Sequence, residues 1–563
     1  MKAPTYCLIA LAALWFSPKV SAVEVVLVNL DKAGDGLNDA AAAVPTGGNP
    51  GTTVGEQRQI VYRFALDMFG ALLNGVEPLR VRASFAPLRC DAGKTVLGNA
   101  AAVSSYYNFS GAPLRDTKYP VALANALRGT DNAPGEDDIQ SHFNGIFGSP
   151  KCKPEVGWYF GLDGRTPDGY INFLNVVTHE LVHGLGFHGD STTNRDAKFI
   201  PRIYDRFVRE ANGSNWVTMT NAQRAAGLVS DRLVWTGPNV THEAGLVLEE
   251  DIGLVVSAPA RIAGVVNYAS TDIGPSAASS AFTGKVVRGT YGAVVDGNNV
   301  VKYDGCEAIT NVAEVANNIA LIDRGGGSCF SALKAYNAQV AGAAAVIISN
   351  NNGGPAPELA LSATPAPVTI PVITISQADG NRFVADLAGM TINGFGAFAD
   401  NHLAGTLPDG VDAARRPISR VKLYAPNPAS PGSTLLHFDT RLKPNALMEP
   451  SNTKSLIAQA FLDLTPALLA DIGWPVNRGN LRLLDCNTTV PVSLPGGLVP
   501  GANAMANVKM CARYAKSVAE YRSCTGRYVQ SRMEAKLFTP LQAVSLKKCL
   551  LGSKAETQYR AWH

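Results

Sequence analysis

The chain has 563 residues, of which 46% are hydrophobic and 17% are charged, and this length predicts several domains. Its 54 glycines and 34 prolines indicate a loop-rich globular protein, which excludes a disordered, collagen-like or coiled-coil chain. The 49 basic and 46 acidic residues nearly cancel, which argues against nucleic acid as a partner.

The first segment has the pattern of a secretory signal. Lys2 precedes an apolar stretch from Cys7 to Phe16, and Val20-Ser21-Ala22 provides small residues for cleavage. The apolar stretch is too short to span a bilayer, and no other stretch predicts a membrane span. Residues 1–22 are therefore predicted to be a signal peptide. The mature protein is predicted to be secreted and extracellular, or periplasmic in a Gram-negative host.

Eight cysteines follow Cys7, and an even number in an exported chain is typical of disulfides. They fall into groups of two, two and four. Pairing within the first two groups predicts Cys90–Cys152 and Cys306–Cys329. The last group leaves three connectivities open among Cys486, Cys511, Cys524 and Cys549.

Residues 23–190 have an α/β pattern. Val23 to Leu30 is a predicted apolar strand, and Leu79 to Phe85 alternates like another strand. Between them, Thr53 and Glu56 have the spacing of a helix capping box. Apolar residues then recur at every fourth position and predict the buried stripe of a helix: Ile60, Phe64, Met68 and Leu72. Residues 91–151 are turn-rich and weakly patterned.

The stretch from Ile171 to Asp190, INFLNVVTHELVHGLGFHGD, carries the clearest chemical motif. On a helix, His179 and His183 stand one turn apart and can both reach one metal ion. Glu180 lies off their line, where it can take a proton from a metal-activated water. The opposite face is apolar, with Leu174, Val177, Leu181 and Leu185. This pattern predicts a zinc site with Glu180 as the catalytic base.

A catalytic zinc needs a third protein ligand, and four residues are candidates. His188 comes one residue before the third histidine position of HExxHxxGxxH, which Gly189 occupies here. Glu243 and Glu249 are acidic candidates, although neither stands in a recognisable helical signature. His437 is the fourth candidate. The residues alone leave this choice open.

Two later stretches carry a family resemblance. His437-Phe438-Asp439 is followed by Pro444-Asn445-Ala446-Leu447-Met448-Glu449-Pro450, and then by Leu464 to Trp474, which ends in Asp471-Ile472-Gly473-Trp474. Together with His179 to Phe187, they resemble the leishmanolysin family of metzincin zinc proteases. In that family an insertion separates HExxHxxGF from the third zinc histidine, and a Met-turn follows that histidine.

This resemblance implies a zinc endopeptidase that acts on proteins or peptides. It implies one catalytic Zn²⁺ held by His179, His183 and His437, with Glu180 as general base and Met448 as an apolar floor beneath the imidazoles. A calcium site is left open, because no residue pattern predicts one.

The gap between His183 and His437 is longer than the usual insertion of that family, and residues 255–398 explain it. In this region charged residues are sparse, and strands are predicted at Ile319 to Asp323 and Ala344 to Ser349. A helix is predicted between them, from Ser328 to Ala341.

The residues Ile319-Ala320-Leu321-Ile322-Asp323-Arg324-Gly325, Cys329, Lys334 and the stretch from Ala341 to Ile348 resemble a protease-associated (PA) domain. The whole chain resembles bacterial secreted proteins in which a PA domain is inserted into such a metalloprotease. The resemblance implies a module that positions a substrate or a partner.

The last block, residues 478–563, is predicted to be helical and rich in cysteine. Eleven basic residues and three glutamates lie between Lys509 and His563. This excess predicts a solvated basic helix face or, as the alternative, contact with an anionic surface.

The predicted fold is therefore a multidomain α/β and α+β protein. Its predicted parts are a metzincin-like catalytic domain in two stretches (23–254 and 399–477), an inserted PA-like α/β domain (255–398) and a small helical Cys-rich domain (478–563). Two other functions remain open: a non-catalytic surface adhesin with a structural zinc, and an exopeptidase, since PA domains also accompany aminopeptidases.

Overall fold

The computed structural model describes residues 21–90, 95–190, 199–275, 277, 282–295, 298–325, 329–353, 356–359, 364–397, 403–412, 417–451, 453, 455–552 and 554–563. Residues 1–20 of the predicted signal peptide lie outside this part. No helix in these ranges is long and apolar enough to cross a membrane.

The first part of the chain, up to residue 250, alternates strands and helices. In chain order these are β1 (Ser21–Ala22), β2 (Val25–Asn29), α1 (Val54–Leu72), β3 (Asn74–Gly75), β4 (Leu79–Ala86), β5 (Gly98–Ala102), β6 (Ser105–Tyr106), β7 (Tyr119–Pro120), α2 (Val121–Arg128), β8 (Ile139–Asn144), β9 (Gly157–Tyr159), β10 (Tyr170–Asn172), α3 (Phe173–Leu185), β11 (Val208–Glu210), α4 (Asn221–Gly227), β12 (Leu233–Trp235) and α5 (Pro238–Val247).

The main sheet of this part has the strand order β2-β4-β8-β5. The first three strands are parallel, and β5 pairs antiparallel with β8 at the edge. Helix α1 begins with the predicted capping box of Thr53 and Glu56. Its predicted apolar stripe is buried: Ile60, Phe64, Met68 and Leu72. The structure thus confirms the strand and helix predictions for residues 23–86.

Residues 91–151 hold more regular structure than their weak pattern predicted. Strand β5 has the sequence GNAAA, which lacks β-branched and aromatic side chains, so its extended form depends on pairing with β8. Strand β8 buries Ser141 and Asn144 beside its apolar residues. These polar buried positions conceal the alternation by which a half-buried strand is usually predicted.

Residues 252–397 form a unit with its own sheet. Its elements are β13 (Ile252–Ala258), β14 (Gly264–Val266), β15 (Tyr268–Ser270), β16 (Thr283–Arg288), β17 (Tyr291–Val295), β18 (Asn298–Lys302), α6 (Val312–Val315), β19 (Ile319–Asp323), α7 (Ser331–Val340), β20 (Ala345–Ser349), β21 (Val372–Ile375), α8 (Gln377–Ala385) and β22 (Thr391–Ala397). The predicted strands and helix of this region are confirmed, with the helix three residues shorter at its start.

The eight-stranded sheet of this unit has the order β14-β13-β22-β16-β19-β20-β21-β15. Strands β16, β19, β20 and β21 are parallel. Leu321 and Ile347 belong to a core on one face, while Ile322 and Ile348 belong to a core on the other. Strands buried on both faces consist of continuous apolar runs, as β19 and β20 do.

The unit leaves and rejoins the rest of the chain at one place. Ile252 in β13 pairs with Ala397 in the antiparallel strand β22, so the two ends of the unit are neighbours. A unit with adjacent ends can occupy a surface loop of another domain at a small entropic cost.

The chain then forms β23 (Thr406–Val411), β24 (Pro417–Val421), α9 (Thr465–Asp471), β25 (Asn480–Leu483), β26 (Cys486–Pro491), α10 (Pro500–Tyr514), α11 (Val518–Glu534), α12 (Pro540–Leu551) and α13 (Ala555–Trp562). The last block thus starts with a β-hairpin before its four helices. One hydrophobic core takes its buried residues from Val23 to Leu248 and from Val421 to Ala555, and the partly buried Leu403 packs against it.

Four disulfides brace these parts. The two predicted pairs, Cys90–Cys152 and Cys306–Cys329, are present. The open connectivity of the last four cysteines is resolved as Cys486–Cys549 and Cys511–Cys524. Helix α10 also packs on α1, where Lys509 Nζ lies 3.2 Å from the carboxylate of Asp67.

Candidate metal centre

Helix α3 carries the first two candidate ligands and has defined ends. The side chain of Asn172 accepts hydrogen bonds from the backbone N–H groups of Leu174 (3.0 Å) and Asn175 (3.3 Å). These bonds satisfy two N–H groups that have no partner within the helix. Gly186 follows the last residue with a φ of 126°, a conformation that favours glycine.

Residues from beyond the inserted unit hold α3 in place. The indole Nε1 of Trp474 donates to the carbonyl oxygen of Leu185 at 2.9 Å. The Asn175 amide donates to Leu456 O at 2.9 Å and accepts from the N–H of Ala458 at 3.1 Å. Trp474 belongs to a stretch that the resemblance identified. Asn175 was missed, because no local pattern marks an amide whose partners are so distant in sequence.

His437 lies on a segment fixed by backbone hydrogen bonds. The N–H of Phe438 donates to Met448 O at 2.8 Å, which joins the histidine to the predicted Met-turn. The hydroxyl of Tyr204 donates to Leu435 O at 2.5 Å. Met448 is fully buried in the main core.

The imidazoles of His179, His183 and His437 meet, and their ligand nitrogens all lie within 4.8 Å of one another. The Nε2 atoms of His179 and His183 are 3.1 Å apart. Each Nδ1 lies 2.6–2.8 Å from a backbone carbonyl oxygen. A carbonyl oxygen only accepts hydrogen bonds, so Nδ1 carries the proton and the lone pair that can bind a metal lies on Nε2. These carbonyls belong to Leu447, Phe187 and Ser433 respectively.

Burial keeps the two helix histidines neutral. It lowers the pKa of His179 to about 3, with the neighbouring His183 adding to the effect. Burial also lowers the pKa of His183 to about 4. Neutral imidazole is the form that binds a metal ion, so at neutral pH no proton has to leave these rings first.

Glu180 lines a cleft of about 380 Å³ together with the three histidines. Residues 95–100 form one wall of this cleft, and residues 432–437 and 449–451 form another. Burial raises the pKa of Glu180 to about 8, while a hydrogen bond from the backbone of Ala100 opposes that rise. A carboxyl group in this position can exchange a proton with a molecule bound in the cleft.

Strand β5 borders the cleft as the edge of the main sheet. Leu97 and Val103, just outside β5, use backbone groups to bond toward β8. Alternate residues of an antiparallel strand bond to the same neighbour, so Gly98, Ala100 and Ala102 direct their backbone groups away from β8. An edge strand with such groups can pair with an extended peptide. Its sequence was too featureless to predict this role.

The other candidate ligands do not belong to the group of three histidines. His188 lines the edge of the same cleft and a recess of about 40 Å³ that it shares with His183 and Arg202, and burial and Arg202 lower its pKa to about 4. The carboxylate of Glu243 accepts a hydrogen bond from the N–H of Gly496. Glu249 is exposed to solvent. Among the described residues, the group that could hold a metal consists of the three histidines.

Comparison with known proteins identifies one part of the chain. Residues 282–383 match the PA domain family, and the chain therefore contains a PA domain within the region where the resemblance placed one. No curated protein matches the chain.

Partial likeness to solved structures is found as well. The zinc aminopeptidase BSAP from Bacillus subtilis is 22% identical over 29% of this chain and 37% of its own, with a TM-score of 0.17. An aminopeptidase from Aneurinibacillus sp. strain AM-1 is 17% identical over 34% and 41%, with a TM-score of 0.16. A peptidase M28 precursor from Shewanella amazonensis is 12% identical over 35% and 46%, with a TM-score of 0.18. Each likeness spans less than half of the other chain, and at these TM-scores none bears on the fold or activity here.

Proposed function

We propose that the chain is a secreted zinc endopeptidase of the leishmanolysin-like, metzincin type. One observation carries this proposal: the ligand nitrogens of three buried histidines lie within 4.8 Å of one another, beside a buried glutamate in a cleft bordered by an edge strand. The motifs that resemble the family supply these four residues: His179, Glu180, His183 and His437.

The histidines fit a zinc ion. Zinc–nitrogen distances of about 2.0–2.1 Å place two tetrahedral ligands about 3.3 Å apart, close to the 3.1 Å between His179 Nε2 and His183 Nε2. Three protein ligands leave one coordination position open, which is typical of catalytic rather than structural zinc. When bound, the ion supplies a Lewis acid that polarises a carbonyl oxygen and makes water more acidic.

Strand β5 supports an extended peptide as the substrate. Gly98 and Ala102 flank Ala100, whose N–H contacts Glu180. A peptide paired with this strand therefore continues on both sides of the catalytic base, as cleavage within a chain requires. This arrangement favours an endopeptidase over an enzyme that holds a chain terminus.

Glu180 is proposed as the general base. Its carboxylate accepts a proton from the attacking water and then donates it to the nitrogen of the leaving amine, while the C–N bond breaks. Burial, opposed by the hydrogen bond from Ala100, raises the pKa of this group to about 8, and the charge of a nearby cation favours the carboxylate form. The opposing effects suit a group that must both accept and release a proton near neutral pH.

We assign residues 23–254 and 399–477 to the catalytic domain, 255–398 to the inserted domain and 478–563 to the C-terminal domain. The main core supports a common catalytic body, since it draws residues from both sides of the insertion. The inserted domain is proposed to position the substrate. Contact of the basic C-terminal helices with an anionic surface stays a prediction.

The proposal is tested by casein hydrolysis with and without a zinc chelator. Glu180→Gln should lower the rate by about 10²–10⁴-fold while its zinc content stays at the wild-type level. Glu249→Gln makes the same chemical change at an exposed glutamate and should leave the rate unchanged. Full activity in the chelated sample or in Glu180→Gln would contradict the proposed mechanism.

Product analysis separates the alternatives. Cleavage of an N-terminally blocked peptide at an internal bond is expected. Release of single residues from unblocked peptides alone would identify an exopeptidase instead. Zinc bound without any hydrolysis would favour the adhesin.

A further inference from the structure

A pair of carboxyl groups joins the PA domain to the Met-turn segment. Glu358 lies in the PA domain between β20 and β21, and Glu449 directly follows Met448. The two carboxyl groups lie within hydrogen-bond distance of each other. Glu449 is fully buried, with 0% of its surface exposed.

Each glutamate is tied to the same short turn. The side chain of Asn445 donates to Glu358 Oε2 at 3.0 Å. The N–H of Ala446 donates to Glu449 Oε1 at 2.6 Å. The Asn445 side chain also acts on Glu449 and lowers its pKa, but Glu449 Oε2 makes no hydrogen bond of ordinary geometry in the described part of the chain. Burying a carboxyl oxygen without a hydrogen-bond donor costs free energy. A proton on the neighbouring carboxyl group of Glu358 would provide that donor.

The turn held by Glu449 also orients a candidate metal ligand. Leu447 follows Ala446, and its carbonyl oxygen accepts the hydrogen bond from His179 Nδ1 at 2.6 Å. The carbonyl oxygen of Met448, the next residue, accepts from Phe438 beside the third histidine. Glu449 is thus placed to act on the candidate metal centre through the backbone of this turn.

The charges around the pair are mostly negative. Asp272 and Asp439 face it as acids, and Lys443 is the cation that faces it. Burial, together with the neighbouring carboxyl groups, raises the pKa of both glutamates well above the usual range. Ionising both would place two more negative charges in a buried, already acidic environment, which is unfavourable.

We propose that Glu358 and Glu449 share one proton, and that Glu449 is a positioning residue through which the PA domain stabilises the turn that orients His179. The protonated carboxyl group donates an O–H···O hydrogen bond to the other. Loss of the shared proton replaces this bond with repulsion and loosens the contact between the PA domain and the turn. The effect on catalysis rests on the proposed function, whereas the contact itself does not.

The direction of the pH effect follows from the raised pKa values. A carboxyl group that binds its proton more tightly in the folded state contributes full stability below its unfolded pKa, here 4.5. That contribution is lost as the pH rises through the folded pKa. One such proton changes the unfolding equilibrium constant by about tenfold per pH unit in this window.

Thermal unfolding of the zinc-loaded full chain, measured from about pH 5 to about pH 9, tests the shared proton. In Glu358→Gln the amide donates to Glu449 at every pH, so no proton is needed. Its melting temperature should match the wild type at the acid end and exceed it at the alkaline end. Glu307→Gln, an exposed glutamate of the PA domain, should follow the wild type throughout. Parallel curves for wild type and Glu358→Gln would overturn the proposal.

Two further measurements sharpen the result. In Glu358→Gln the alkaline limb of kcat/KM on a peptide should move to higher pH, with KM nearly unchanged. If Ca²⁺ restores the alkaline stability of the wild type but leaves Glu358→Gln unaffected, the pair holds a cation and the shared proton is refuted. The unfolding measurement does not depend on peptidase activity, so failure of the proposed function leaves it interpretable.

Discussion

The PA domain and the candidate metal centre are assembled in opposite ways. The sheet of the PA domain is built from one continuous stretch, residues 252–397, and its parallel strands β19, β20 and β21 are neighbours in both sequence and space. The metal centre combines α3 with a segment from the other side of that stretch. A continuous module can therefore be identified from its own motifs, whereas the centre depends on the fold that joins its two segments.

This difference also predicts that the part of the chain built on the main core and the PA domain are two bodies with separate free energies of unfolding. Among the described residues, the main core has no buried residue between Leu248 and Val421, although the partly buried Leu403 packs against it, and the PA domain has two cores of its own. Contacts that connect the bodies include the hydrogen bond from Asn445 to Glu358 and the ammonium group of Lys443 over the ring of Tyr268. Changes confined to one body should therefore leave the other folded.

The largest expected effect is on zinc affinity. It comes from removing the proposed ligand that lies beyond the inserted unit and reaches the other two only in the folded protein. His437→Ala should lower zinc affinity by more than the roughly 10- to 100-fold that is typical of changes to residues next to the ligands. The reason is that only two of the three proposed ligand side chains would then be left to bind the ion. Chelator competition measures this affinity. His188→Ala, the matched control, should keep wild-type affinity, and a loss there would transfer the ligand role to His188.

A core truncation in each body should separate two unfolding transitions. Phe173→Ala removes a buried ring that packs on Phe85, Phe143, Trp158 and Phe160, at a cost of about 3–5 kcal/mol. Ile347→Ala in β20 should cost about 2–5 kcal/mol. In calorimetry, each variant should lower one transition and leave the other in place. If both variants lower a single transition, the two bodies unfold as one.

The smallest of these effects should come from one hydrogen bond across the insertion. Trp474→Phe keeps most of the ring but leaves the carbonyl oxygen of Leu185 without its donor. A buried group left unpaired costs about 1–3 kcal/mol, so denaturant unfolding of the catalytic body should shift by that amount. Trp562→Phe, near the end of α13, serves as the control and should change stability less.

Local patterns in the sequence predict part of the fold and of the candidate site. The capping box of α1, the two histidines on one face of α3 and the strand runs of the PA domain all follow from spacing over a few residues. The choice of His437 came from resemblance and not from periodicity, because its partners lie far away along the chain.

Several supporting residues had no local signal. Asn175 bonds to Leu456, 281 residues further along, and Glu449 meets a carboxyl group of the inserted domain. Strand β5 consists of small residues that show no strand preference of their own. Such features depend on tertiary pairing, which a single sequence does not encode in its local pattern.

The position of the PA domain between the two ligand segments also sets an order of events during synthesis. His183 precedes His437 by about 250 residues, and ribosomes add about 5–20 residues per second. The third imidazole therefore leaves the ribosome about 10–50 s after the first two. Throughout that interval the nascent chain carries only two of the three candidate ligands, and the inserted domain has time to fold before the third is available.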